Sequence, residues 1–342
     1  MAHGVQDNVR KLRPRSPWSR WLVATIAALL VFPVLVGSAG TAWLLIEDTG
    51  TPAPDAHATG TDGLWLGHAW VAGGHPPADL AALVTEVRTD HLRDLFVHIG
   101  PLADDGTLDP RLRPTAGPLL TALHEQLPGV RVQAWLGDVV GPTRYDLADP
   151  ATRAHTLTSV DQVLAAGFDG IHYDLEPVPD GDPGYLALLA ATHTLTKSAH
   201  KVLSVAVDQL EPLPALRYPA QWVTGRPHFW STGFVHAVAL DVDEVAVMAY
   251  DSGMPTSAVY SGYVRRQTQL AMSAIPSTVD LLIGAPAYHT TEPGHTAAET
   301  VAAAVRGIRL AWTGRPIGIA FYADFSATPA DWSAYRSGWV NP

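Results

Sequence analysis

The chain has 342 residues, 47% of them hydrophobic, with 11 Trp, no Cys and a formal net charge of −11. Such a composition is globular, not disordered, and it excludes disulfides, a thiolate nucleophile and cysteine-ligated zinc. Arg10, Lys11, Arg13, Arg15 and Arg20 face Asp7 alone in the first twenty residues, so the remainder is more acidic than the total suggests. A body of that charge repels nucleic-acid phosphates and suits neutral sugars, and no nucleic-acid partner is expected.

Residues 1–20 read as a basic cytoplasmic tail. Trp21–Ile46 holds no charged residue over 26 positions, and Glu47 and Asp48 follow it. About 20 apolar residues span a bilayer, so 21–46 reads as a transmembrane anchor. The basic flank places the tail inside and the rest of the chain outside. A cleaved signal peptide is the alternative, with the small residues of Gly-Ser-Ala-Gly-Thr-Ala as its cleavage region. The apolar run resumes beyond them with Trp43-Leu-Leu-Ile46, which favours the anchor. Residues 47–62 are polar and rich in Gly, Pro and Thr, and read as a linker.

From Gly63 to the end, short apolar runs alternate with helix-like stretches. The candidate strands are Leu64–Trp70, Leu95–Ile99, Val130–Trp135, Gly170–Leu175, Val202–Val207, Val245–Tyr250, Leu281–Ala287 and Ile317–Tyr322. Candidate helices include Ala78–His91, Ala151–Ala166, Tyr185–Ser198, Val264–Ala274 and Ala297–Trp312. This alternation predicts a parallel sheet, and eight units predict a (β/α)8 TIM barrel over 63–342. A doubly wound sheet would carry a Gly-rich phosphate loop after strand 1, and Trp70-Val-Ala-Gly-Gly74 lacks that spacing.

Barrel chemistry sits at the carboxyl ends of the strands. Polar residues gather there: Asp138, Asp174 and Glu176, Asp208, Tyr250 and Asp251, Tyr288 and His289, Tyr322 and Asp324. Side chains alternate along a strand, so His172, Asp174 and Glu176 share one face, each ~6–7 Å from the next. Crowded carboxylates push one pKa upward, which supplies the general acid that glycosidic cleavage needs. The bland alternative is a buried network that only braces the barrel. No His-Glu-x-x-His and no Gly-x-Ser-x-Gly occurs, and no metal or cofactor is expected.

The strand-4 stretch Gly167–Pro177 resembles the signature of glycoside hydrolase family 18, the chitinases and their relatives, which runs D-x-x-D-x-D-x-E. Asp169, Asp174 and Glu176 match three of its four acidic positions, and His172 occupies the second. Val245–Asp251 is similar to the family's strand-6 M-x-Y-D, through Met248, Tyr250 and Asp251. Gly284–Tyr288 and Leu203–Val207 are weaker echoes. The resemblance implies a substrate-assisted retaining glycosidase. Glu176 would protonate the leaving oxygen. Asp174 would orient the substrate acetamide, Tyr250 would hydrogen-bond its oxygen, and Asp251 would contact the sugar. Asp169 would support the strand-4 turn. His172 is expected to pair with Asp174 as a cation. The family's strand-3 S-x-G-G and strand-8 Trp are absent. Ala134-Trp-Leu-Gly137 stands at the first, and Phe321 or Tyr322 would replace the second. Trp135, Trp222 and Trp230 are further aromatic candidates for sugar contact, and Glu211–Pro227 is expected to overlie the strand-5 end. The partners implied are a polysaccharide or oligosaccharide and, through residues 21–46, a membrane. Three alternatives stay open: a glycan-binding barrel without turnover, a two-carboxylate glycosidase pairing Glu176 with Asp208 or Asp251, and a membrane-tethered scaffold.

Overall fold

The computed structural model describes residues 37–290 and 294–342. The basic tail and residues 21–36 of the expected anchor lie outside the described residues. Residues 37–47 are helical, and no helix among the described residues is long and apolar enough to cross a membrane.

The sequence alternation resolves into eight parallel strands closed into a barrel in chain order. They are β1 (Gly63–Leu66), β2 (Asp94–His98), β3 (Arg131–Val139), β4 (Gly170–Glu176), β5 (Val202–Val207), β6 (Glu244–Val247), β7 (Asp280–Pro286) and β8 (Gly318–Tyr322). Helices α1 (Ala69–Ala72), α2 (Pro77–Thr89), α3 (Ala116–Gln126), α4 (Pro150–Ala165), α5 (Pro183–Ser198), α6 (Arg217–Thr224), α7 (Thr232–Ala239), α8 (Ser257–Ala274), α9 (Val301–Ala311) and α10 (Pro329–Tyr335) follow or join the strands. Several start where the local chemistry dictates. Asp149, Asp182 and Thr328 each accept a backbone N–H at the helix start, and each is followed by Pro at the first helical position, where its fixed φ and missing N–H cost nothing.

Alternation sorts each strand into two sets. Leu64, Leu66, Val97, Ile171, Tyr173, Val205, Ile283, Ile319 and Phe321 face the helices and build the outer core. Trp65, Phe96, Trp135, Ala206, Ala246, Met248, Tyr250, Leu282 and Ala320 form a separate cluster inside the barrel. Below that cluster sits a charged floor. Arg131 donates to both oxygens of Asp94 and to Glu244, Arg93 reaches the same two acids, and both acids are fully buried.

Strand 1 is shorter than its sequence suggests. Trp70 falls in α1, because the Asp324 carboxylate accepts the Gly67 N–H (2.9 Å) and the Trp70 indole N–H (2.6 Å), turning the chain after Leu66. Helix α9 starts at Val301, where the Thr300 hydroxyl accepts the Ala303 N–H, so residues 297–300, expected as helix, are loop. The stretch 47–62, read as a linker, lies along the barrel. Asp48 pairs with Arg306 at 2.8 Å, Ala56 is fully buried, and the Asp62 carboxylate accepts from Ile319 N–H, Tyr335 O–H and Trp339 indole N–H. Asp62 thereby ties the start of β1 to β8 and to the last helices, where the barrel closes through Gly63 beside Ala320. Leu44 is buried, and a Cβ on Gly262 of α8 would lie 1.9 Å from the Leu44 carbonyl oxygen, so this crossing requires glycine.

Candidate active site

The carboxyl ends of the strands enclose a cleft of about 720 Å³, walled by Glu176, Asp208, Met248, Tyr250, Asp251, Tyr288 and Tyr322 among others. That size is ordinary for a ligand site. Asp174 lies at its base. Four carboxylates (Asp174, Glu176, Asp208, Asp251) share this cleft with one guanidinium, that of Arg226. Arg226 and Pro227 belong to the Pro-rich stretch after β5, which does overlie the strand-5 end as expected.

Glu176 is the last residue of β4 and is open to the cleft. Its carboxyl is pushed well above the usual range, first by loss of bulk water and then by the charges of Asp174 and Asp208, with Arg226 opposing. Asp174, two residues earlier on the same face, is raised to about 6 by burial, against the lowering effect of its Trp135 hydrogen bond. The Trp135 indole N–H donates to Asp174 Oδ2 at 2.9 Å, while Asp174 Oδ1 is buried without a hydrogen-bond partner. A buried, half-satisfied carboxylate is costly to keep, and its open oxygen is ready to accept one more N–H or O–H. Asp208 is raised to about 7, mainly by burial. The strands approach closely here because a side chain at Gly137 is forbidden: its Cβ would lie 2.8 Å from the Asp174 carbonyl oxygen.

Tyr250 is buried beside this pair, stacked on Tyr322 with centroids 5.4 Å apart and crossed by Tyr288 at 5.8 Å. Gly284 makes that space, since its Cβ would sit 2.7 Å from the Tyr250 ring. Asp251 adopts φ 55°, and its Oδ1 accepts the Tyr288 hydroxyl at 2.5 Å. The peptide bonds Glu176–Pro177 and Tyr322–Ala323 are cis.

Four expectations about residues change. His172 makes no hydrogen bond to Asp174 and is not a cation. Its Nε2 accepts the Trp65 indole N–H at 3.0 Å, so Nδ1 carries the proton and donates to Ser204 Oγ at 2.7 Å. Full burial pushes its pKa down to about 3. Ser204 Oγ passes the chain on to Gln133 Oε1, and Gln133 Nε2 donates to Asp94 and Glu244 in the floor. The imidazole is thus a neutral post between floor and cleft. Phe321 points outward, stacked on Trp332 at 4.2 Å, because it differs in parity from Tyr322, which does line the cleft. Asp169 lies before the amino end of β4, bound to Lys201 at 2.9 Å, His124 at 2.7 Å and the Val132 N–H, at the opposite end of the strand from Glu176 and the cleft. Trp230 is buried with its indole N–H on the Val178 carbonyl, whereas Trp222 is 86% exposed.

Sequence reasoning passed over Glu299 and His295. Glu299 is buried and accepts the N–H groups of Asp251, Ser252 and Gly253 and the Ser252 hydroxyl, which shapes the loop after β6. Its position in a stretch that reads as helix concealed this role.

Trp135 gives a direct pH test of the Asp174 arrangement. Trp135→Phe removes the one donor that lowers the Asp174 pKa, so the carboxylate protonates at higher pH. The acid limb of kcat/KM, expected near pH 6 for wild type from Asp174, should move upward by about one unit in the variant. A pH–rate profile with an unmoved acid limb would refute the assignment.

No protein-family model and no curated protein matches the sequence. Solved structures do match. The spore cortex-lytic enzyme SleL of Bacillus megaterium QM B1551 is similar at 16% identity and TM-score 0.58, over 85% of this chain and 76% of that one. A chitinase from Chromobacterium violaceum ATCC 12472 is similar at 14% identity and TM-score 0.57, over 81% and 99% of the two chains. A class V chitinase from Pseudomonas fluorescens Pf-5 is similar at 14% identity and TM-score 0.52, over 81% and 99%. At such identities the likeness is one of fold. The eight-stranded barrel is therefore similar in fold to these chitinases and to the cortex-lytic enzyme, and a (β/α)8 barrel is the fold that the strand-4 and strand-6 motifs imply.

Proposed function

We propose that the protein is a glycoside hydrolase that cleaves an N-acetylated glycan, chitin-like or of the cell wall, by substrate-assisted retention. The observation that carries this reading is the Asp174–Glu176 pair at the cleft base, with Asp174 Oδ1 buried and unpartnered beside Tyr250. Glu176, its pKa raised, holds the proton for the leaving oxygen. Asp174 takes the acetamide N–H on its open oxygen and stabilises the positive charge as the acetamide oxygen attacks the anomeric carbon. Tyr250 donates its hydroxyl to that same acetamide. Water then opens the cyclic intermediate with Glu176 acting as base, and the anomeric configuration is retained. The three chitinase-like neighbours by fold support a glycan substrate. We further propose that the uncharged run of residues 21–46 anchors the barrel on the outer face of the membrane, with Leu44 near its end packed on α8 and not in lipid, which the run and its basic flank support.

The test is hydrolysis of N-acetylglucosamine oligomers beside their de-N-acetylated counterparts, with the anomer of the first product read by NMR. Cleavage of the acetylated series alone, with retention, is the expected result. Cleavage of both series, or inversion, would replace this mechanism with a two-carboxylate one.

A further inference from the structure

At the mouth of the cleft, two chain segments bring Asp251 together with His295 and Glu299, with one ligand atom of each within 4.8 Å of the others. His295 Nδ1 lies 3.7 Å from Asp251 Oδ1 and 3.6 Å from Glu299 Oε2. Both separations exceed hydrogen-bond reach. The His295 side chain is only 4% exposed, and its Nδ1 is buried with no hydrogen-bond partner. A buried ring nitrogen aimed between two carboxylate oxygens and bonded to neither needs an explanation. Charge makes the same demand. Among the described residues, neither Asp251 nor Glu299 forms an ion pair with any Lys or Arg; His295 is the one ion-pair partner of each.

A cation supplies what is missing. An ion ~2.1 Å from His295 Nδ1 and from either carboxylate oxygen would subtend roughly 120° across the gap between them, within the range of four- and five-coordinate sites. Mixed imidazole and carboxylate donors favour zinc over magnesium or calcium, which prefer oxygen alone. The donors are also held from behind, as such ligands usually are: Tyr288 O–H binds Asp251 Oδ1, and four donors bind the Glu299 carboxylate. We propose that Asp251 Oδ1, His295 Nδ1 and Glu299 Oε2 form a binding site for one zinc-type divalent ion at the rim of the cleft. The ion would join the loop after β6 to the segment before α9 and fix the Asp251 side chain at the cleft wall.

The experiment is titration of the full chain, stripped with EDTA and desalted, with ZnCl2 in a calorimeter. One site per chain is expected, weakened at least tenfold in His295→Ala and unchanged in His68→Ala, which removes a histidine elsewhere. Cobalt(II) loaded into wild type provides a second readout that needs no variant: intense visible bands of a four- or five-coordinate ion are expected. No zinc binding, equal affinity in wild type and His295→Ala, or a cobalt spectrum of the hydrated ion would overturn the proposal. None of these readouts depends on glycan hydrolysis.

Discussion

Glu176→Gln should lose about 10²–10⁴-fold in kcat on N-acetylglucosamine oligomers, the usual contribution of a positioned general acid. The amide keeps the shape and part of the hydrogen bonding of the carboxyl but cannot give up the proton that the leaving oxygen needs. KM should change little, because Glu176 acts at the bond being broken and the sugars are held mainly by the cleft walls. Stability should hold or rise. The Glu176 carboxyl is crowded by Asp174 and Asp208, and removing one of several like charges relieves that repulsion. The variant is read by steady-state kinetics beside thermal unfolding. A Glu176→Gln protein with wild-type turnover would move the acid to another of the cleft carboxylates, with Asp208 first in line because its pKa of about 7 keeps about half of it protonated at neutrality.

Arg131→Met should be the most destabilising single change away from the cleft. Arg131 gives two hydrogen bonds to Asp94 and one to Glu244, at 2.6 to 2.7 Å. Both acids are fully buried, and in the variant Arg93 alone would compensate them. Breaking one arm of a buried ion network costs about 3–5 kcal/mol, or a Tm loss on the order of 10 °C for a domain of this size. Activity should fall with it at temperatures where wild type is intact. Gln133, Ser204 and His172 transmit the position of the floor to the level just below Asp174. Differential scanning calorimetry at neutral pH checks the stability change. A Tm within 2–3 °C of wild type would mean that Arg93 alone satisfies the floor.

The departures from the family pattern then have a physical reading. The residue two before Asp174 is not an acid that shares protons. It is an imidazole whose single lone pair is used by Trp65 and whose single proton is used by Ser204. Proton sharing at the cleft base is therefore left to Asp174 and Glu176. Trp135, where the family has a small polar motif, reaches Asp174 with its indole N–H. Tyr322, stacked on Tyr250, supplies the aromatic surface near the end of β8.

Much of this was legible in the residues alone. Eight apolar runs alternating with helical stretches specify a parallel barrel, because a parallel strand needs a crossover helix before the next. The two-residue period of a strand put Asp174 and Glu176 on one face without any coordinates. The M-x-Y-D stretch likewise placed Met248, Tyr250 and Asp251 at the cleft. What the sequence could not decide was which face looks inward on the shortest strands, and which distant group each polar atom meets. Tyr322 lines the cleft and Phe321 the outer core through the register of β8 with β7 and β1. The partners of His172 sit 107 and 32 residues away: Ser204 is opposite it on the neighbouring β5, and Trp65 comes from β1, which barrel closure brings to it across the interior. Trp70 left its strand for the sake of Asp324, 254 residues on. Glu299 left its helix for the backbone of residues 251–253. Local pattern reports the period of an element and the kind of side chain it presents. The charge state and hydrogen-bond partner of a buried group belong to the closed barrel, because each buried donor or acceptor must be satisfied by whatever closure places within about 3 Å of it.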